Sequence, residues 1–147
     1  MTLLAKIIAT GFGAGYFPIA PGTAGSILAL VPVLLFYPSQ PSSLIPFVFV
    51  LIIVAVFFAG VWAGGQAENI YGHDPSCVVI DEIVGMWLTI FLIPPTWIWL
   101  LAGFVLFRVL DITKWLGADR AQNLPGGWGI MADDVVSGIW GNLILQI

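Results

Sequence analysis

Seven of the twelve charged residues of this chain gather in three short segments, each at the end of an apolar run. The segments are Asp81-Glu82, residues 108–114 and Asp133-Asp134. A charged side chain beside hydrocarbon is unfavourable, so such groups usually face a partner, a cavity or a site. Three acidic segments at one depth therefore predict a site for a polyvalent cation, and the fold has to bring them together.

The composition predicts an integral membrane protein. Hydrophobic residues make up 60% of the 147-residue chain, charged residues only 8%, and the mean hydropathy is +1.06. A soluble domain carries about a quarter charged residues, so this chain has little need of a water-facing surface. Its length predicts one domain, residues 1–147. The net charge of -4 argues against a nucleic-acid partner, because phosphate backbones are bound by Lys and Arg.

The apolar runs predict an all-α fold, a small membrane bundle with short transmembrane helices and a polar active-site layer on the cytoplasmic side. The runs are residues 26–37, 43–63, 83–93, 97–107 and 135–147. Only the second reaches the length of about 20 residues that a standard span needs. The others span only if flanking residues extend the helices or the membrane is thinned. The alternative is a set of buried helices in a compact, partly soluble bundle.

Two Pro-rich segments predict the orientation. Residues 38–42 and 94–96 carry no charge, so turns at both segments would bring every charged segment to one side. The four basic residues place that side in the cytoplasm by the positive-inside tendency. Trp97 and Trp99 fit an aromatic anchor at the opposite interface.

A Gly-rich segment at residues 20–26 opens the first apolar helix. Glycine lets the backbone approach a ligand closely, and free N–H groups at a helix start favour an anion. Gly22, Thr23, Gly25 and Ser26 are therefore candidate phosphate-binding residues. The alternative is ordinary loop chemistry, with Ser26 as the residue that caps the helix.

Each acidic segment has a functional and a structural explanation. In a helix Asp81 and Glu82 point about 100° apart, so one can face inward and the other a neighbouring helix. Asp111 lies three residues from both Arg108 and Lys114, which predicts either intrahelical salt bridges or a metal-binding acid beside phosphate-binding cations. The pair at 133 and 134 could bind a metal, or start the last helix.

The side chains available as ligands favour Mg²⁺, which prefers carboxylates, water and substrate phosphate. We expect one or two Mg²⁺ ions, and the predicted metal ligands are Asp81, Glu82, Asp111, Asp133 and Asp134. The predicted phosphate-binding residues are Gly22, Thr23, Gly25, Ser26, Arg108 and Lys114.

Four ordered blocks resemble the phosphatidylglycerophosphatase A family, membrane phosphatases of bacterial lipid synthesis. The blocks are GAGYFP running into APGTAGS (13–26), DP with VIDEIVG (74–85), FRVLDITK (107–114) and GGWGIMADDV (126–135). They cover nearly the whole chain. One departure is visible: the family usually has Lys-Pro in the third block, whereas Trp115 follows Lys114 here.

The resemblance implies an all-helical protein of the bacterial inner membrane, with its active site facing the cytoplasm. It also implies Mg²⁺-dependent hydrolysis of phosphatidylglycerophosphate to phosphatidylglycerol and inorganic phosphate. For this reaction we expect attack of water on the phosphomonoester, with Asp81, Glu82, Asp111 and Asp134 as catalytic residues. An aspartyl-phosphate intermediate is the other route. The partners would be the membrane phospholipid substrate and the bilayer. The oligomeric state is left open. A small membrane ion transporter or channel, lined by the same acids, is the alternative from a different class.

Overall fold

The computed structural model describes residues 1–36, 44–115 and 117–147, and all regular structure in these ranges is helical. This confirms the predicted all-α class. The helices are α1 (Leu3–Ala9), α2 (Pro21–Phe36), α3 (Leu44–Tyr71), α4 (Ile80–Thr89), α5 (Trp97–Thr113), α6 (Ala118–Ala121) and α7 (Gly127–Leu145), with a 3-10 turn at Ala14–Tyr16 between α1 and α2.

The helix ends are arranged so that the polar segments meet. The starts of α2 and α4, the second turn of α7 and the end of α5 all contribute to one cleft, together with the segment that follows α3. The chain turns at residues 94–96, between α4 and α5, as the sequence predicts. The other predicted turn, at 38–42, lies outside the described residues. The bundle therefore has one polar end.

The interior of the bundle is organised around α4. Seven of its ten residues are buried, and it packs against α2, α3, α5 and α7. At a rise of about 1.5 Å per residue, α4 is only about 15 Å long, half of a bilayer core. The run at 83–93 is therefore not a membrane span of its own. It follows the alternative reading, a short helix buried by its neighbours.

The long helix α3 has the opposite character. Its 28 residues make it about 42 Å long. Of the helices in the described ranges, α3 alone is both long and apolar enough to cross a membrane, and only 11% of its most apolar window is buried. Phe47, Leu51 and Phe58 are each more than half exposed. A long apolar helix with most of its side chains exposed has a surface suited to lipid.

Two helices begin earlier than their apolar runs suggested. α2 starts at Pro21, because proline suits the first position of a helix, so Ser26 lies inside the helix rather than capping it. α7 starts at Gly127, which places Asp133 and Asp134 in its second turn. The simple explanation of this acidic pair as a helix start is therefore wrong.

Close contact between α4 and α7 depends on small residues. A Cβ atom added to Gly138 would lie 2.5 Å from the Gly85 carbonyl oxygen and 3.0 Å from the Leu88 Cβ. A Cβ on Gly85 would in turn lie 2.8 Å from the Asp134 carbonyl oxygen. Neither helix could come this near with a larger side chain. The crossing brings the first turn of α4 beside the second turn of α7.

We expect Gly138→Ala to destabilise the protein by about 1 to 3 kcal/mol, because its methyl group would meet backbone atoms that cannot rotate away. Thermal unfolding in detergent measures the effect. Gly64→Ala is the matched control, since its Cβ would have ordinary contacts of 3.5 Å or longer. A Gly138→Ala protein as stable as the control would contradict the close helix crossing.

Candidate functional site

Three carboxylates meet where α4 crosses α7. Asp81 and Glu82 lie in the first turn of α4, and Asp134 lies in the second turn of α7. One oxygen from each lies within 4.8 Å of the others. Residues more than 50 positions apart in sequence are thus brought together, as the acidic segments predicted.

Each of these carboxylates has one oxygen without a partner in the described part of the chain. Asp81 Oδ1, Glu82 Oε2 and Asp134 Oδ2 are buried and accept no hydrogen bond from the residues described. An uncompensated buried charge is strongly unfavourable, and three like charges at this spacing repel one another as well. A divalent cation would satisfy the orphaned oxygens and offset the repulsion. Because all the donors are carboxylate oxygens, the set fits Mg²⁺.

The other two acids of the site are already paired with cations. Asp111 Oδ2 lies 2.7 Å from Arg108 Nη1, and Asp111 Oδ1 lies 3.7 Å from Lys114 Nζ. Lys114 also forms an ion pair with Asp133. The predicted intrahelical salt bridges are therefore present, and Lys114 additionally links α5 to α7. A role of Asp111 and Asp133 as metal ligands stays a prediction.

Lys114 ends α5 in the left-handed backbone conformation, with φ of 52°. Burial by itself lowers the pKa of Lys114, but its hydrogen bond to Asp133 and the negative charges of Asp133, Asp134 and Asp111 more than offset this effect. Its pKa therefore lies above the ordinary value, and the ammonium group stays charged. The site holds a permanent positive charge at the end of α5.

Arg108 is the second cation of the site, and it lies between Glu82 and Asp111. Its Nη1 lies 3.8 Å from Glu82 Oε1 in addition to its contact with Asp111. Its Nε is buried and donates no hydrogen bond to the described residues. A guanidinium with a free donor in an acidic cleft can bind an anionic oxygen, such as one of a phosphate group.

A cleft of about 330 Å³ connects these groups. The predicted residues that line it are Gly22, Asp81, Glu82, Arg108, Asp111, Lys114 and Asp134. Gly22 is pressed against the acids, because a Cβ there would overlap the Glu82 carboxylate and lie 3.1 Å from Arg108 Nη1. Glycine at this position lets the backbone of α2 close one wall of the cleft.

The residues of the Gly-rich segment that follow Gly22 do not line the cleft. A Cβ on Gly25 would lie 2.8 Å from the Cβ of Val79, so this glycine allows α2 to pack against the start of α4. Ser26 is fully buried, and its Oγ donates a hydrogen bond of 2.9 Å to the Gly22 carbonyl oxygen. Packing thus explains both residues, while phosphate binding by Thr23, Gly25 and Ser26 stays a prediction.

The cleft also contains residues that sequence reasoning did not assign. Asp74 and Ser76, from the segment between α3 and α4, line its mouth. Gln122 Nε2 donates a hydrogen bond of 2.7 Å to Asp74 Oδ2. The available signal was an acid directly before Pro75, but nothing in the sequence links it to Gln122.

His73 lies next to this mouth but outside the lining. Its exposed ring contacts Glu68, with 2.6 Å between Nδ1 and Oε1. The hydrogen bond to Glu68 raises the pKa of His73, burial lowers it slightly, and the charges of Glu68, Asp74 and Asp133 raise it further. Its partner is thus a carboxylate of α3 rather than a group in the cleft.

Comparison with known proteins identifies a family. The sequence profile of phosphatidylglycerophosphatase A matches residues 7–147. The chain is 41% identical to the phosphatidylglycerophosphatase A of Escherichia coli (strain K12) over 90% of its own length and 76% of that protein, and 32% identical to that of Haemophilus influenzae over 95% and 85%. A Bacteroides thetaiotaomicron protein provisionally named phosphatidylinositol-3-phosphatase is 39% identical, over 99% and 94%. No solved structure matches the chain.

The His73–Glu68 pair predicts a pH-dependent contribution to stability. Because the folded-state pKa of His73 is raised above 6.5, the contribution is present below the unfolded-state pKa and is lost as the pH rises through the folded-state value. The native protein should therefore resist thermal unfolding better than His73→Gln at low pH, and this difference should disappear as the pH rises through the folded-state pKa of His73. An equal difference at low and high pH would contradict the ion pair.

Proposed function

The chain belongs to the phosphatidylglycerophosphatase A family, and we propose that it hydrolyses the terminal phosphomonoester of phosphatidylglycerophosphate to phosphatidylglycerol and inorganic phosphate. One observation carries the proposal: a single cleft holds three carboxylates, each with an oxygen left unpartnered by the described residues, together with Arg108 and Lys114. Phosphoryl transfer needs positioning and charge stabilisation more than covalent chemistry, and such a cleft offers both.

We propose that Asp81, Glu82 and Asp134 hold Mg²⁺. The orphaned oxygen of each supports this assignment. Asp111 and Asp133, the other two predicted ligands, face Arg108 and Lys114, so their first role is to orient these cations. When bound, a divalent cation supplies positive charge that offsets the charge of the phosphate and of the carboxylates.

The residues of the chain then have distinct tasks. Arg108 donates hydrogen bonds to the phosphate oxygens, and Lys114 adds a fixed positive charge. Water attacks phosphorus in line with the ester oxygen, so one phosphorus–oxygen bond forms as the other breaks. A carboxylate, Asp81 or Glu82, takes one proton of the attacking water and passes it to the departing alkoxide, which becomes the free hydroxyl of phosphatidylglycerol.

The setting we propose is the bacterial inner membrane, with several membrane-crossing helices and the cleft facing the cytoplasm. Support comes from the exposed apolar surface of α3 and from the gathering of charged side chains at one end of the bundle. A lipid already in the bilayer gains little from contact with further hydrocarbon. Selectivity should therefore come from the headgroup in the cleft.

A second candidate substrate is phosphatidylinositol 3-phosphate. It is favoured by the likeness to the Bacteroides protein, which extends over 99% of this chain. The two lipids share a chemical pattern: the carbon bearing the phosphodiester and the carbon bearing the phosphomonoester flank a carbon with a free hydroxyl. A site that recognises this pattern would bind either lipid.

The alternative of an ion transporter or channel has less support. A permeation path requires polar groups along the depth of the bundle. The clustered carboxylates lie instead in a cleft at one end, at the start of α4, the second turn of α7 and the end of α5.

The direct test is release of inorganic phosphate by the protein purified in detergent. We expect release from phosphatidylglycerophosphate with Mg²⁺ and none after chelation, with phosphatidylinositol 3-phosphate assayed in parallel. Faster release from the inositol lipid would replace the proposed substrate, and release from neither lipid would end the proposal.

In the same assay, Asp134→Asn should lower turnover by about 100-fold or more, because it removes a group that holds charge at the reacting phosphate. Asp119→Asn makes the same chemical change on exposed α6, outside the cleft lining, and serves as the control.

Mg²⁺ should also stabilise the folded protein without any substrate. At a concentration near 100 times its dissociation constant, a ligand of the folded state adds about 2.7 kcal/mol. We expect Mg²⁺ to raise the thermal midpoint of the native protein and of Asp119→Asn, but not that of Glu82→Gln. Without metal, Glu82→Gln should be the more stable protein, since it relieves repulsion among the carboxylates. Equal Mg²⁺ shifts in all three proteins would refute the assigned ligands.

A further inference from the structure

Asp74 is a cleft residue that the proposed chemistry does not use. It lies in the segment between α3 and α4 and lines the cleft together with Lys114 and Asp134. Its φ of 48° is in the left-handed region, which is unusual for a residue other than glycine. Pro75 follows directly, and a residue before proline avoids helical conformations. Unfavourable backbone geometry of this kind concentrates at functional sites.

A single hydrogen bond fixes the orientation of the Asp74 side chain. Gln122, which follows α6, donates from Nε2 to Asp74 Oδ2 at 2.7 Å. Among the residues that the structure describes, no Lys or Arg nitrogen lies within ion-pair distance of this carboxylate, in contrast to Asp111 and Asp133. Asp74 Oδ1 is thus left to accept a hydrogen bond from a group that enters the cleft.

The charge of Asp74 restricts what that group can be. An ionised carboxylate only accepts hydrogen bonds, so it repels phosphate oxygens and suits a hydroxyl group. The phosphate itself has partners elsewhere in the cleft, at Arg108 and Lys114. A lipid whose phosphomonoester reaches these cations would place the neighbouring part of its headgroup near the mouth, where Asp74 lies.

We propose that Asp74, oriented by Gln122, binds the free hydroxyl next to the phosphomonoester and thereby determines which lipids are hydrolysed. The inference rests on the proposed phosphatase function and deepens it. Its substrate class is phospholipids whose phosphodiester-bearing and phosphomonoester-bearing carbons flank a hydroxyl-bearing carbon. Phosphatidic acid, which has no headgroup hydroxyl, falls outside this class.

The test compares two lipids on the native protein and its variants. One is phosphatidylglycerophosphate; the other is its propanediol analogue, which lacks only the hydroxyl. A hydrogen bond to a charged group contributes about 1.5 to 3 kcal/mol, so the native kcat/KM should favour the hydroxyl lipid by about 10- to 100-fold. Asp74→Gly removes the carboxylate while suiting the left-handed backbone. It should lower kcat/KM for the hydroxyl lipid and abolish this preference.

Two further variants separate recognition from folding. Asp74→Asn keeps the shape and tolerates the same backbone, yet it removes the charge, so it should retain only part of the preference. Gln122→Ala leaves Asp74 in place but frees its side chain. Because Gln122 only positions Asp74, Gln122→Ala should reduce the preference for the hydroxyl lipid less than Asp74→Gly does.

The outcomes distinguish this inference from the proposed function. A native protein that hydrolyses both lipids equally well would overturn the inference alone. So would an Asp74→Gly protein that loses the same factor on both lipids, because Asp74 would then act in folding or metal binding. Release from neither lipid would overturn the proposed function and this inference with it.

Discussion

Like charge held inside an apolar bundle is the constraint on which this structure depends. Five carboxylates from α4, α5 and α7 lie near one another, and the described part of the site supplies two cations to them, Arg108 and Lys114. Each buried charge needs a counter-charge or a donor, because the free energy of leaving it unpaired is several kcal/mol. Ion pairs with Arg108 and Lys114 neutralise part of this charge. One oxygen on each of Asp81, Glu82 and Asp134 is still without a partner among the residues that the structure describes.

The packing of the helices follows from the same constraint. The short helix α4 starts at the polar end and is enclosed by its neighbours, so its first-turn acids are held against α7 rather than exposed. Gly22, Gly85 and Gly138 remove the side chains that would keep the backbones apart. The outer surface of the bundle is thus mostly apolar, and the charged side chains of the cleft lie at one end.

The sequence predicted those parts of the site that depend on residue type and short spacing. The three acidic segments, the ion pairs of Asp111 with Arg108 and Lys114, and the helical class all follow from composition and from the period of the helix. The depth of α4 and the start of α7 did not follow, because burial by neighbouring helices, and not the apolar run itself, decides them. The pairing of Asp74 with Gln122 joins two loops across 48 positions, and no local pattern records such a contact. The contacts of Arg108 with Glu82 and of Lys114 with Asp133 join different helices and did not follow from local spacing either.

The end of α5 joins two properties in one residue. Helices commonly stop at a glycine, which adopts left-handed geometry without strain, whereas here Lys114 adopts it and spends about 1 to 2 kcal/mol of conformational energy. The lysine that terminates the helix is also the counter-ion of Asp111 and Asp133. Backbone strain and the positive charge of the site are therefore coupled at this position. A glycine would relieve the strain but remove the charge, and any other basic residue would keep both.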